Sequence, residues 1–208
     1  MLELAIAAFT TFFVTVGPVE VAAIFLSVTP HETAKQRRQT AITASIVAAA
    51  VLAGFALGGR SLLEVLGVGL PAFRAAGGIL LLKMAADLLL AERTGLTSIT
   101  PEEEREAENQ PDVAVFPLAI PMIAGPGTIT AVLLLMAKAK TIAADAVVLG
   151  CIAAICIVTL VCMLAATRLV RLLGLTGTNV IARVSGILLA ALAMQFIFDG
   201  LEQSGILH

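Results

Sequence analysis

The chain has 208 residues, 59% of them apolar and only 13% charged, with a mean hydropathy of +1.02. A soluble domain carries roughly 25% charged residues, so an ordinary water-soluble fold is excluded. The 13 basic and 15 acidic residues leave a net charge of −2 and form no basic patch, so nothing here fits a nucleic-acid partner.

A helix that crosses lipid needs about 20 apolar residues, and six windows supply them: 3–28, 40–59, 70–91, 113–137, 143–166 and 179–202. The first opens Met1-Leu2-Glu3. An acid stands where a signal peptide is positive, so this window is expected to be a retained span rather than a cleaved leader. Gly17-Pro18 interrupts it. The second carries Gly54 and Gly58, a small-xxx-small pattern that reads as helix packing. In the third, Lys83 and Asp87 stand four residues apart and share a face. They are expected to pair, with Lys83 snorkelling outward. Residues 92–112 follow, with the acidic run Glu102-Glu103-Glu104-Arg105-Glu106, and read as a solvated linker. The fourth window holds Pro117, Pro121 and Gly125-Pro126-Gly127. The fifth contains Cys151, Cys156 and Cys162, which lack metal-site spacing and read as apolar packing. The sixth ends near Asp199, expected at the membrane interface.

The two Gly-Pro pairs are 108 residues apart (125 − 17). At the same offset Gly78-Ile79-Leu80-Leu81 meets Gly186-Ile187-Leu188-Leu189, Arg60 meets Arg168, and Gly69 meets Gly177. This self-similarity predicts one membrane domain over 1–208, made of repeat 1–91, a cytoplasmic linker 92–112 and repeat 113–208. One side of the membrane collects Lys35, Arg37, Arg38, Arg93, Arg105, Arg168, Arg171 and Arg183; the other collects Arg60, Arg74, Lys138 and Lys140. The richer side should be cytoplasmic, which puts both termini outside. Three spans per repeat make the second copy enter from the opposite face. The expected fold is therefore an all-α integral membrane protein of six spans, two inverted three-helix repeats with broken first and fourth helices.

Each break has chemical consequences. Proline lacks an N–H and clashes with the carbonyl four residues back. In hydrocarbon the freed backbone groups need protein, water or ligand as partners. Pro18 and Pro126 suit the first position of a new half-helix. The amides of Val19, Glu20, Gly127 and Thr128 would then point into the break and attract a carboxylate. The carbonyls of Thr15, Val16, Ile123 and Ala124 would suit an ammonium group. Together with Gly17 and Gly125, these residues form a candidate site for a zwitterion such as a free amino acid. The competing reading of one Gly-Pro pair is a plain kink; two at matched repeat positions favour a site. Glu20 either binds a substrate amine or carries a coupling proton, or else complements its own helix dipole. Thr128 and Thr130 either offer hydroxyls to the site or bond a carbonyl one turn back.

The stretch Phe12-Phe13-Val14-Thr15-Val16-Gly17-Pro18 with Ile24-Phe25-Leu26-Ser27 resembles the opening motif of the MarC family, also called UPF0056 or NAAT. Val115-Phe116-Pro117-Leu118-Ala119-Ile120-Pro121 leading to Ala124-Gly125-Pro126-Gly127-Thr128-Ile129-Thr130 resembles its most specific signature. Leu70-Pro71-Ala72-Phe73-Arg74 through Leu80, and Arg183-Val184-Ser185-Gly186-Ile187-Leu188, are similar as well. The first motif departs from the family pattern Asp-Pro-Ile-Gly-Asn-Ile-Pro: here it reads Gly17-Pro18-Val19-Glu20-Val21-Ala22-Ala23, with the acid after the proline. The resemblance implies a six-helix bacterial inner-membrane protein, distantly similar to LysE-type exporters, that moves small neutral amino acids such as glycine and alanine.

A secondary transporter is therefore the expected function, with an amino acid as substrate, a proton or sodium ion as coupling partner and no cofactor. No Walker A motif points to ATP. An intramembrane enzyme is not expected: no His-Glu-x-x-His or Gly-x-Ser-x-Gly pattern occurs, and His31 and His208 sit at a loop and a terminus. The alternative is a non-transporting scaffold or regulatory membrane protein, which solute flux would distinguish.

Overall fold

A computed structural model describes residues 1–30, 32–90, 113–139 and 141–205. The linker expected over 92–112 lies outside the described residues, as do His31, Arg93, Arg105, Lys140 and His208. Among the described residues all regular structure is helical.

Helix α1 (Leu2–Val16) stops where Gly17 takes a left-handed conformation (φ 59, ψ 62), its N–H closing the last turn on the Phe13 carbonyl at 3.1 Å. Helix α2 (Pro18–Val28) starts at once, with Pro18 at its first position. The Thr11 and Thr15 hydroxyls donate back to the carbonyls of Ala7 (2.7 Å) and Thr11 (3.0 Å), so neither buried hydroxyl is left unpaired.

Helix α3 (Ala34–Val65) runs well past the expected 40–59. Its 32 residues extend about 48 Å at 1.5 Å per residue, against an apolar core of about 30 Å. The extra turns at its start are polar and carry Lys35, Arg37 and Arg38. A capping box starts them: Thr33 N–H donates to Gln36 Oε1 at 2.9 Å, and Gln36 N–H donates to Thr33 Oγ1. Gly54 and Gly58 are exposed, and a Cβ at either would meet nothing within 4 Å. The packing role expected of them within the chain belongs instead to Gly59, where a Cβ would collide with Leu133.

After α4 (Leu70–Leu90) the described chain resumes in an irregular segment, Ala114–Ile123. Its turns are wide, as in the i→i+5 bond from Ala124 N–H to the Ala119 carbonyl at 2.9 Å. Phe116 (φ −125, ψ 124) and Ile120 (φ −132, ψ 124) are extended, the conformation that Pro117 and Pro121 impose on the residue before them. Helix α5 (Pro126–Lys138) then leaves at 53° to that segment. Helix α6 (Ile142–Leu164) holds the three free cysteines. Helix α7 (Ala166–Gln203) is kinked at Gly174 (φ 63, ψ −179), which separates a short basic stretch with Arg168 and Arg171 from the apolar span Asn179–Gln203.

Among the described residues four helical stretches are long and apolar enough to cross a membrane, or five if the bent pair around Gly125 is one span. Helix α4 falls short because it carries Arg74, Lys83 and Asp87. It packs along the apolar span of α7, in the most extensive helix pairing among the described residues. The two run antiparallel: Gly78 abuts Ala193, and Gly186 abuts Ala85. The larger apolar core joins α1 and α2 to α3, the irregular segment, α5 and α6. A smaller one joins Val14 to Leu81, Met84, Leu134, Leu189, Ala193 and Phe196.

Candidate functional site

The two breaks meet crosswise. Helix α1, before the first break, packs on α5, after the second; helix α2, after the first, packs on Ala114–Ile123, before the second. The halves of the two broken helices are thus in contact on both sides of the breaks. Val16, Ile123 and Ala124 are buried in a common core. Leu81 and Met84 of α4 close the neighbouring wall: both would crowd a Cβ at Gly127, and both cluster with Val14.

At the first break Thr15 and Val16 are buried, and Pro18 is buried at the head of α2. Pro18 offers no N–H, so the Val14 carbonyl loses its helical donor. The left-handed turn at Gly17 takes the chain out of the α1 register, and no side chain caps the first-turn amides of Val19 and Glu20. Glu20 is half-buried and folds back on its own helix start: a Cβ at Gly17 would stand 3.1 Å from Glu20 Oε2. Among the described residues no donor or cation meets this carboxylate.

At the second break Ile123 and Ala124 are buried, Ala124 has left the helix (φ −96, ψ 55), and Gly125 is extended (φ −79, ψ 169). Pro126 is exposed, while Gly127 and Thr128 are buried at the start of α5 with no side-chain cap. The Thr128 hydroxyl is sealed from solvent and has no hydrogen-bond partner. The break explains why. Buried hydroxyls at Thr11, Thr15, Thr29, Ser45 and Thr159 all donate to the carbonyl four residues back. For Thr128 that residue is Ala124, beyond the bend, so of its two expected roles the back-bond is not made.

A polar cluster lies at one end of the bundle, where Arg74 and Lys138, expected on the same side of the membrane, find partners on α7 that no local spacing announces. Asp199 accepts from Lys138 Nζ (2.8 Å) and Gln195 Nε2 (2.7 Å), and Lys138 sits 5.2 Å from the centre of the Phe196 ring. Buried Arg74 donates to Gln203 Oε1. The expected pair on α4 is present, with Lys83 Nζ 2.6 Å from Asp87 Oδ1. At the other end a cavity of about 200 Å³ brings Arg37 and Arg38 of α3 beside Thr167 of α7, over Phe25, Leu26 and Met163. Arg37 is held there by the Thr29 carbonyl at 2.7 and 3.0 Å.

Long apolar helices, two of them interrupted at Gly-Pro and packed crosswise, define an integral membrane protein with non-helical backbone inside its bundle. The family model described as MarC family integral membrane protein matches residues 2–204, and the chain belongs to that family. It is 35% identical over 193 residues to a UPF0056 membrane protein of Methanocaldococcus jannaschii, covering 93% of this chain and 84% of that one. The UPF0056 membrane protein YvbG of Bacillus subtilis is 34% identical over 194 residues (93% and 92% covered). YhcE of Escherichia coli K12, also a UPF0056 membrane protein, is 33% identical over 197 residues (93% and 90% covered). No solved structure matches the chain.

Proposed function

We propose that this protein is a secondary transporter that binds a small neutral amino acid, of the size of glycine or alanine, between its two broken helices. The observation that carries the reading is the crosswise packing of the two broken helices, each of which restarts at a proline with no side-chain cap. Lipid-facing kinks would leave the freed backbone groups unpaired at several kcal/mol each. Broken backbone of this kind, turned toward neighbouring helices, suits a solute with both an anionic and a cationic end.

Six spans in two inverted halves suit this role, because alternating access needs two similar halves that rock about a shared site. The antiparallel α4–α7 seam supports inversion, since its contacts exchange under the 108-residue offset (186 − 78 and 193 − 85). Orientation in a bacterial inner membrane follows from the grouping of charges. Arg37 and Arg38 share one end with Thr167, which starts α7, while Arg74 and Lys138 share the other with its end. The positive-inside rule makes the first end cytoplasmic and both termini periplasmic. A proton or sodium gradient would supply the drive.

The test is counterflow of radiolabelled glycine or alanine into liposomes containing the purified chain. Saturable exchange is expected. Folded protein that exchanges no amino acid sinks the reading in favour of a scaffold.

A further inference from the structure

We propose that the two breaks divide the substrate between them: the start of α5 takes the carboxylate, through the Gly127 and Thr128 amides and the Thr128 hydroxyl, and Glu20 takes the ammonium group. The inference rests on the transporter reading and adds a polarity that the repeat alone does not contain.

Glu20 and Thr128 are equivalent under the 108-residue offset (128 − 20). Each is the third residue of a half-helix that begins with a proline after a glycine. A helix start attracts anions through its unpaired amides and the positive end of its dipole. By that argument alone both breaks would bind a carboxylate and neither an amine. The side chains remove the degeneracy.

At α2 the helix start is already covered. The Glu20 carboxyl lies back over Gly17, close enough that a Cβ there would be 3.1 Å from Oε2. A substrate carboxylate arriving at this end meets another carboxyl group and no side-chain donor to pair with among the described residues. A substrate ammonium meets a carboxylate that no donor or cation among the described residues occupies.

At α5 no acid stands in the first turn. Its third residue is neutral, 1% exposed, and holds a hydroxyl with no partner. Helical Cα–Cβ bonds tilt toward the N-terminus of their own helix, so the Thr128 side chain leaves the backbone on the side of the open amides. A buried donor left unmade is costly, and a carboxylate at the helix start would satisfy it together with the amides. The adjoining wall of Leu81 and Met84 is apolar and brings no competing cation. Glycine at 127 keeps that wall tight, since a Cβ there would strike Met84.

The experiment compares analogues in liposomes holding the full chain, by competition against labelled alanine counterflow. N-acetylalanine has no ammonium group and alaninamide has no carboxylate, so each probes one end. In the unaltered protein both should compete at least about tenfold more weakly than alanine, the scale of one charge-assisted contact. Glu20→Gln should narrow the gap for N-acetylalanine and leave that for alaninamide. Thr128→Val should narrow the gap for alaninamide and leave that for N-acetylalanine, while Thr128→Ser should keep the original pattern. Where a variant no longer exchanges, ligand-dependent thermal shifts in detergent read the same ratios, because a ligand of the folded state raises its melting temperature. Interchanged effects, or ratios that neither variant alters, overturn the polarity and leave the transporter standing. Absence of alanine exchange by the unaltered protein removes both.

Discussion

Gly78 lies directly against the backbone of Ala193: a Cβ on it would stand 2.8 Å from the Ala193 carbonyl oxygen and 2.6 Å from Ile197 Cγ1. The reciprocal contact exists at Gly186, where a Cβ would stand 3.1 Å from the Ala85 carbonyl oxygen. One seam thus contains the same close approach twice, once in each direction. The Gly-Ile-Leu-Leu self-match in the sequence is the trace of this contact: two helices pack this tightly only where one side chain is absent.

The seam sets an order of costs for alanine substitutions. Gly78→Ala meets backbone atoms at 2.8 and 3.0 Å and should lower stability by about 1–3 kcal/mol, the usual range for overpacking. Gly186→Ala meets its nearest atoms at 3.1 Å and should cost less. Gly54→Ala meets nothing within 4 Å and should be neutral or stabilising, since alanine is the better helix former. Thermal unfolding in one detergent checks the ranking. Equal losses at Gly78 and Gly54 would disprove the seam.

The polar cluster at the end of α5 and α7 predicts a modest coupling. Lys138 and Asp199 are partly exposed, at 37% and 20%, so solvent screens their attraction. Asp199→Asn or Lys138→Met should each cost about 1 kcal/mol or less. The double variant Lys138→Met with Asp199→Asn should lose less than the sum of the two single losses, as a double-mutant cycle would show. Purely additive losses would mean that the pair contributes nothing beyond its separate side chains.

Local signals in the chain pointed to local structure. The spacing of Lys83 and Asp87 announced their pair, and Pro18 and Pro126 announced the breaks, because each effect acts within one or two turns. The capping box of Thr33 and Gln36 was equally local, and it explains why α3 starts at Ala34 and not where the apolar window opens at residue 40. The Lys138–Asp199 and Arg74–Gln203 contacts were not legible, since they depend on how distant helices cross. Nor could the chain show that Gly54 and Gly58 face outward while Gly59 faces Leu133. A single helix has many small-residue faces, and tertiary packing chooses among them.

The unpaired Thr128 hydroxyl separates stability from binding. Replacing it with the isosteric Val removes a buried group that no hydrogen bond compensates, so Thr128→Val should raise the unfolding free energy of the ligand-free protein by about 1 kcal/mol. Thr159→Val is the control, because the Thr159 hydroxyl donates to the Ile155 carbonyl at 2.8 Å. It should show no such gain. Denaturation in detergent without amino acid measures both. A gain at Thr159 equal to that at Thr128 would mean that the hydroxyl at the break is not special.

The glycines at the two breaks answer to different physical demands, although they occupy the same place in the repeat. Gly17 is there for conformation: its φ of 59 lies in the left-handed region, where alanine costs about 1–2 kcal/mol and asparagine is better accepted. The nearest atom to a Cβ at Gly17 is the end of the flexible Glu20 side chain, which can move aside. Gly125 is there for space: its φ of −79 is open to any residue, but a Cβ would collide with the Pro121 carbonyl, a backbone group that cannot yield without moving the irregular segment. Gly17→Asn should therefore be milder than Gly17→Ala. At Gly125 both Asn and Ala should be harmful, near the upper end of the about 1–3 kcal/mol range for overpacking. Melting temperatures of the four variants decide it. Rescue by asparagine at 125 as well as at 17 would show that both breaks turn on left-handed backbone and that the close approach to Pro121 is wrong.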